Sequence, residues 1–227
     1  MRRHPYTKIQ IRTLPKLGLM LLLALIGGCS SSASVQVDSD FPKVLAEPKP
    51  LSAAIVFDKS FTDFQAQPLK NTQLTIGAAQ QKLFKNAFKG LFDPVQYVTS
   101  KDEIEGDVSL IVTPSIWEVQ ISTPSQNYLN VFEVWIKYNL DIKTADGEQI
   151  SSWFMPAYGK TPDSFMASKS AAIEQAAITA LRDAGAKLLL DFYRIPAVYS
   201  WASKHARGFG NGGGDKGGGA KGGGAIK

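Results

Sequence analysis

The chain has 227 residues, 44% hydrophobic, 20% charged and 10% aromatic, which fits one globular domain or two small ones and excludes wholesale disorder. Its formal charge of +5 is unevenly placed: residues 1–28 carry +5, residues 202–227 carry +4, and the body between them carries −4. A mildly acidic body removes the main argument for nucleic-acid binding, and none is expected.

In chain order, the first segment is the most informative. Arg2, Arg3, Lys8, Arg12 and Lys16 form a positive region, followed by the ten-residue apolar run Leu17–Ile26. Ten helical residues reach about 15 Å, about half the hydrocarbon thickness of a bilayer, so a short export signal is favoured over a spanning helix. The ending Ile26-Gly27-Gly28-Cys29 resembles the bacterial lipobox, in which cleavage precedes a cysteine that is then lipidated. Small residues before the cut let the backbone enter a peptidase cleft, and the thiolate of Cys29 is the nucleophile for thioether formation. An ordinary signal peptide with a coincidental cysteine is the competing reading; Cys29 is the single cysteine of the chain and stands where the lipobox needs it. The resemblance implies residues 1–28 as a signal peptide cut between Gly28 and Cys29, and acyl chains such as palmitate on Cys29. Ser30 follows, where Gram-negative lipoproteins kept at the inner membrane tend to carry Asp, so an outer-membrane, periplasm-facing location is expected. Residues 29–50, rich in Ser, Asp and Pro, read as a flexible tether.

Residues 51–201 read as one domain. Ala53–Phe57 is a short apolar run that reads as a buried strand. Leu74–Leu91 places Leu74, Ile76, Ala79, Leu83, Phe84, Ala87, Phe88 and Leu91 on one helical face. Strands are expected at 95–98 and 108–112, with Pro114 interrupting before 116–121 resumes. The clearest period of two spans Asn130–Lys143, with Phe132, Val134, Ile136, Tyr138, Leu140 and Ile142 on one face. Ala145-Asp146-Gly147 signals a hairpin, so 149–158 pairs back antiparallel, a loop follows at 159–162, and a long alanine-rich helix spans about 164–193. The expected class is α+β, two helices packed on a mainly antiparallel sheet in a single periplasmic domain. Residues 202–227 hold 11 of the 20 glycines, with Lys216, Lys221 and Lys227 interleaved, and read as a disordered tail. A sharper reading makes that tail a contact for anionic envelope polymers or an acidic protein.

Chemical sites are sparse. The two histidines, His4 and His205, fall outside the expected core, and a body without His or Cys cannot host Ser–His–Asp, Cys–His or cysteine-zinc chemistry. No enzymatic activity, cofactor or metal is expected. The acidic run Asp102, Glu103, Glu105 and Asp107 lacks the EF-hand spacing and reads as a solvated turn. Glu118 and Glu133 would be a carboxylate pair for glycoside hydrolysis only if the fold brought them together, which no spacing requires. Trp135 is out of phase with the apolar face of its strand. Tyr128, Trp135 and Trp153 therefore make either an exposed aromatic interface or, for Trp135, part of a second hydrophobic layer under a helix.

The lipobox, the Pro-rich tether, the small α/β body and the late helix containing Ala180-Leu-Arg-Asp-Ala184 are together similar to envelope lipoproteins, notably the curli-secretion lipoprotein and the activators of penicillin-binding proteins. The resemblance implies a non-enzymatic module that binds other envelope proteins or assembles into homo-oligomeric rings. The alternative is an auxiliary subunit of a transport system that takes lipid or glycan in a groove between helix and sheet.

Overall fold

A computed structural model of the chain describes residues 33–41, 44–165 and 167–205. Cys29, the cleavage site expected before it and the Gly/Lys tail from residue 206 lie outside the described residues. The strands are β1 (Ala33–Gln36), β2 (Ala53–Val56), β3 (Gln65–Leu69), β4 (Thr72–Thr75), β5 (Val95–Val98), β6 (Leu110–Ser122), β7 (Val131–Thr144) and β8 (Gln149–Pro162). The helices are the single turn α1 (Lys59–Thr62), α2 (Gly77–Lys89), the single turn α3 (Pro124–Asn127), the 23-residue α4 (Lys169–Asp191) and α5 (Pro196–His205). The α+β class holds.

The main sheet has the order β5-β2-β6-β7-β8, with β2 parallel to both of its neighbours and β6, β7 and β8 joined as a long antiparallel meander. β7 forms because its alternation gives one wholly apolar face: Phe132, Val134, Ile136, Tyr138, Leu140 and Ile142 are all buried beneath the helices. The β7–β8 hairpin closes at Gly147, whose φ of +89° is one that a side chain would resist. α4 begins at Ser168, whose hydroxyl accepts from the Ala171 N–H at 3.1 Å. Its buried stripe of Ala172, Ala176, Ala177, Ala180 and Ala184 lets helix and sheet approach closely. Gly159 lies tight under the helix: an added Cβ would stand 2.1 Å from the Ala176 carbonyl oxygen.

Several expectations change. Residues 33–41 are part of the fold rather than a tether: β1 pairs in parallel with β4, and Val35, Val37 and Phe41 are buried. The apolar alternation there is only two valines deep among Ser, Gln and Asp, so polar composition hid it. Leu74 belongs to β4 and Ile76 to the turn before α2; both are buried, but the helix starts at Gly77. Pro114 does not interrupt β6, because β2 pairs only with residues 110–112 and no strand on that side asks for the missing N–H. Residues 159–162 continue β8, held by α4 on one side and β7 on the other. The body also extends past residue 201, since α5 runs to His205 with Val198 and Ala202 buried.

The face of the sheet away from α2 and α4 is covered only in part. Ile104 and Val108 of the 99–109 loop pack on Ala54, Val56, Val98 and Ile111, closing a second small core over β5, β2 and the start of β6. The remainder, across β6, β7 and β8, faces solvent.

Candidate functional site

The open part of the sheet is built by the residues that alternate with the core positions. Trp135 stands in register between Gln120 on β6 and Tyr158 on β8. Its ring lies 4.4 Å from that of Tyr158. One step along, Glu118, Lys137 and Pro156 share a row, and beyond it come Ser115, Asn139 and Phe154. β6 bulges between Ile116 and Glu118, so Trp117 is an extra residue turned onto this side. It meets Phe154 edge-to-face at 5.6 Å and 79°. The result is two aromatic pairs, Trp117–Phe154 and Trp135–Tyr158, with an ion pair between them. Trp117 is 75% exposed, Phe154 44% and Trp135 38%.

The polar side chains of this face are already oriented. Lys137 Nζ donates to Glu118 Oε2 at 2.5 Å and Gln120 Nε2 to Glu118 Oε1 at 2.7 Å. These bonds, that to Lys137 first, hold the Glu118 carboxyl below its ordinary pKa. Tyr158 OH donates to Glu133 Oε1 at 2.6 Å, and Asn127 Nδ2 to Glu133 Oε2 at 3.0 Å. Burial, then the bond to Glu133, pushes the Tyr158 phenol up to about 12.

Of the aromatic residues singled out from the sequence, Trp135 lies on the open face and Tyr128, 88% exposed, on the β6–β7 loop at its end. Trp153 lies elsewhere. It pairs in register with buried Leu140 and is half-buried against the core on the helix side, so it does not join Trp135. Phe154 and Tyr158 take its place. The run Trp153-Phe154-Met155 has no alternation from which to read a face, and only the register with β7 fixes it.

Glu118 and Glu133 share the open face but not a site. Glu133 is opposite Ser122, four strand residues or about 13 Å along from Glu118, and each carboxylate has its own partners. The acidic turn is also dispersed: Glu103 turns back to the Thr99 hydroxyl at 2.6 Å and the Thr99 N–H at 2.8 Å. Among the described residues no three His, Cys, Asp or Glu side chains stand close enough to hold a metal ion. No described helix is long and apolar enough to cross a membrane.

The layer between helix and sheet is filled by Phe61, Phe84, Phe88, Tyr138 and Leu181, all buried. An apolar groove of about 410 Å³ lies instead between α2 and α4, lined by Leu83, Ala87, Arg182, Ala186 and Leu189 with Phe41 across from them.

No protein-family model and no curated protein matches the chain. Solved structures give partial likenesses at low identity. A Helicobacter pylori protein provisionally named a neuraminyllactose-binding hemagglutinin homologue is 12% identical, with a TM-score of 0.42 over 75% of this chain and 98% of that one. A minor lipoprotein from Acinetobacter baumannii is 10% identical, with a TM-score of 0.32 over 64% and 95%. The uncharacterized lipoprotein B from Nitrosomonas europaea is 10% identical, with a TM-score of 0.36 over 74% and 97%.

Proposed function

We propose that the chain is an envelope lipoprotein, anchored in the outer membrane through Cys29 and facing the periplasm, that acts without catalysis as an interaction module for another envelope protein. The reading rests on one observation above the rest: the uncovered β6–β8 face presents Trp117, Phe154, Trp135 and Tyr158 among oriented polar side chains. Exposed aromatics ringed by hydrogen-bonding groups have the composition of the centre of a protein interface. Lipid on Cys29 confines that face to a surface and raises its effective concentration for a partner in the same envelope. The lysines of the Gly-rich tail add a second, weaker contact with anionic envelope polymers. Photocrosslinkers placed at Gln120 on the open face and at Glu174 on α4 test the docking surface in native envelopes. A discrete protein adduct from position 120, absent from position 174 and lost in Trp117→Ser/Trp135→Ser, is expected. Equal adducts from both faces, or an adduct indifferent to the tryptophans, contradicts it.

The groove between α2 and α4 favours a second reading, an auxiliary subunit that takes a lipid chain: about 410 Å³ is within the range of small-molecule sites. A fluorescent fatty acid that binds the chain and is excluded by Ala186→Trp supports it; no binding at micromolar lipid rejects it.

A further inference from the structure

Little chain separates the lipidation site from the fold. The Ala33 N–H donates to the Asn71 carbonyl at 2.7 Å as β1 enters its sheet, and only Ser30, Ser31 and Ser32 stand between Ala33 and Cys29. Four residue steps span at most about 14 Å. The end of the molecule that carries Ala33 is therefore held at the surface into which Cys29 is acylated.

Contacts identify what else lies at that end. Beyond β1 the chain follows α2: the Val37 N–H donates to the Thr75 carbonyl, Asp40 pairs with Lys82, and the Phe41 carbonyl accepts from Asn86. Leu83 packs at Gly185, while Val44 and Leu189 meet at Gly90, so α2 and α4 run in the same direction. β1 precedes α2 and thus lies toward the start of α4. The start of α4 follows β8 directly, and there the Asp163 N–H donates to the Asn130 carbonyl at 2.9 Å. Asn130 closes the β6–β7 loop. The tip of that loop holds Tyr128 and Leu129 side by side in solvent. It is a fixed tip: Tyr128 and Asn130 have φ of 58° and 54°, a region that side chains disfavour, and Asn127 accepts from the Leu129 N–H at 3.0 Å.

We propose that this end is a membrane-docking surface, with Tyr128 and Leu129 inserted at the headgroup level of the bilayer that holds the Cys29 acyl chains. The inference rests on the lipid-anchor reading. Tyrosine is at home where one end of a side chain is wet and the other apolar, and leucine gains by leaving water. The short leash makes insertion nearly intramolecular, so two side chains suffice where they would not from solution. The strands of β6–β8 then stand end-on to the bilayer, and their open face remains clear for a partner.

Because acylation consumes the chain's single thiol, an introduced cysteine takes a label alone. The lipidated full chain carrying Leu129→Cys, or Leu190→Cys near the other end of α4, is labelled with an environment-sensitive dye and reconstituted into phosphatidylethanolamine/phosphatidylglycerol vesicles. The dye at 129 is expected to shift to the blue and lose iodide quenching, while the dye at 190 keeps it. Equal quenching at both positions, in protein whose mass shows acylated Cys29, overturns the docking surface and leaves the anchor standing. Absence of acyl mass overturns the anchor itself. A dye at Ser125→Cys separates insertion by native side chains from insertion by the label: it is expected to regain iodide access when Tyr128→Ser and Leu129→Ser are added. Unchanged shielding there overturns the proposal.

Discussion

Asp183 and Lys187, one turn apart on α4, together close the outer edge of β8. Asp183 Oδ2 accepts from the Tyr158 N–H at 2.9 Å, Lys187 Nζ donates to the Pro156 carbonyl at 2.6 Å, and the two side chains bond each other at 2.7 Å. β8 is an edge strand of 14 residues, and such an edge invites pairing with another chain unless it is covered. The double substitution Asp183→Ala/Lys187→Ala is expected to cost about 2 kcal/mol in urea unfolding, since the two hydrogen bonds to the β8 backbone are lost at about 1 kcal/mol each, while the bond between the two side chains disappears with both of its partners. It is also expected to make light scattering rise with protein concentration. A monomeric, equally stable variant would deny the pair this role.

The core carries a polar relay through Gln80. Gln80 is fully buried; its Oε1 accepts from Tyr138 OH at 3.1 Å and its Nε2 donates to the Phe61 carbonyl at 2.5 Å. Gln80→Leu strands two buried groups, at about 1–3 kcal/mol each, whereas Tyr138→Phe strands one. The glutamine variant should therefore lose about twice as much unfolding free energy as the tyrosine variant. Equal losses would mean that the Phe61 carbonyl finds another donor.

Gly159 sits directly against the backbone of α4. Gly159→Ala forces a methyl against helix backbone rather than against a flexible side-chain end, so an overpacking cost of about 1–3 kcal/mol is expected. Chemical denaturation measures it. A neutral substitution would show that α4 can shift outward without penalty.

Alkaline pH should weaken the fold in a defined window. Tyr158 is raised from 10.0 to about 12 by burial and then by Glu133, and burial also raises Tyr97, Tyr138 and Tyr193. A phenol with a raised folded pKa holds its proton more tightly in the native state. Its contribution is thus complete below pH 10 and falls as pH climbs toward the folded value. Glu133→Gln removes the carboxylate contribution and should lower the Tyr158 value, leaving burial alone. Ring-labelled tyrosine NMR across pH 9–12.5 reads this directly; an unmoved Tyr158 titration would contradict the assignment.

Legibility followed the depth of each pattern. β7 and the alanine stripe of α4 repeat over many residues, so their period survives local noise, and the outward phase of Trp135 follows from β7. β1 and β4 are four residues each, with too few apolar positions among Ser, Thr and Gln for a period to show. Their stability comes from pairing with each other and from packing, which no local pattern encodes. Trp117 reaches the open face through a bulge, which flips the strand's phase and has no signature in Ile116-Trp117-Glu118. The second half of the aromatic face, Phe154 and Tyr158, is set by register across the hairpin.

The proposed anchor underlies both the proposed docking face and its orientation, and one measurement reaches it without any substitution. Intact mass spectrometry of the protein taken from its own envelope is expected to show a chain that begins at Cys29 and carries acyl groups there. A chain retaining residues 1–28, or one whose Cys29 is a free thiol, would contradict the account at its root.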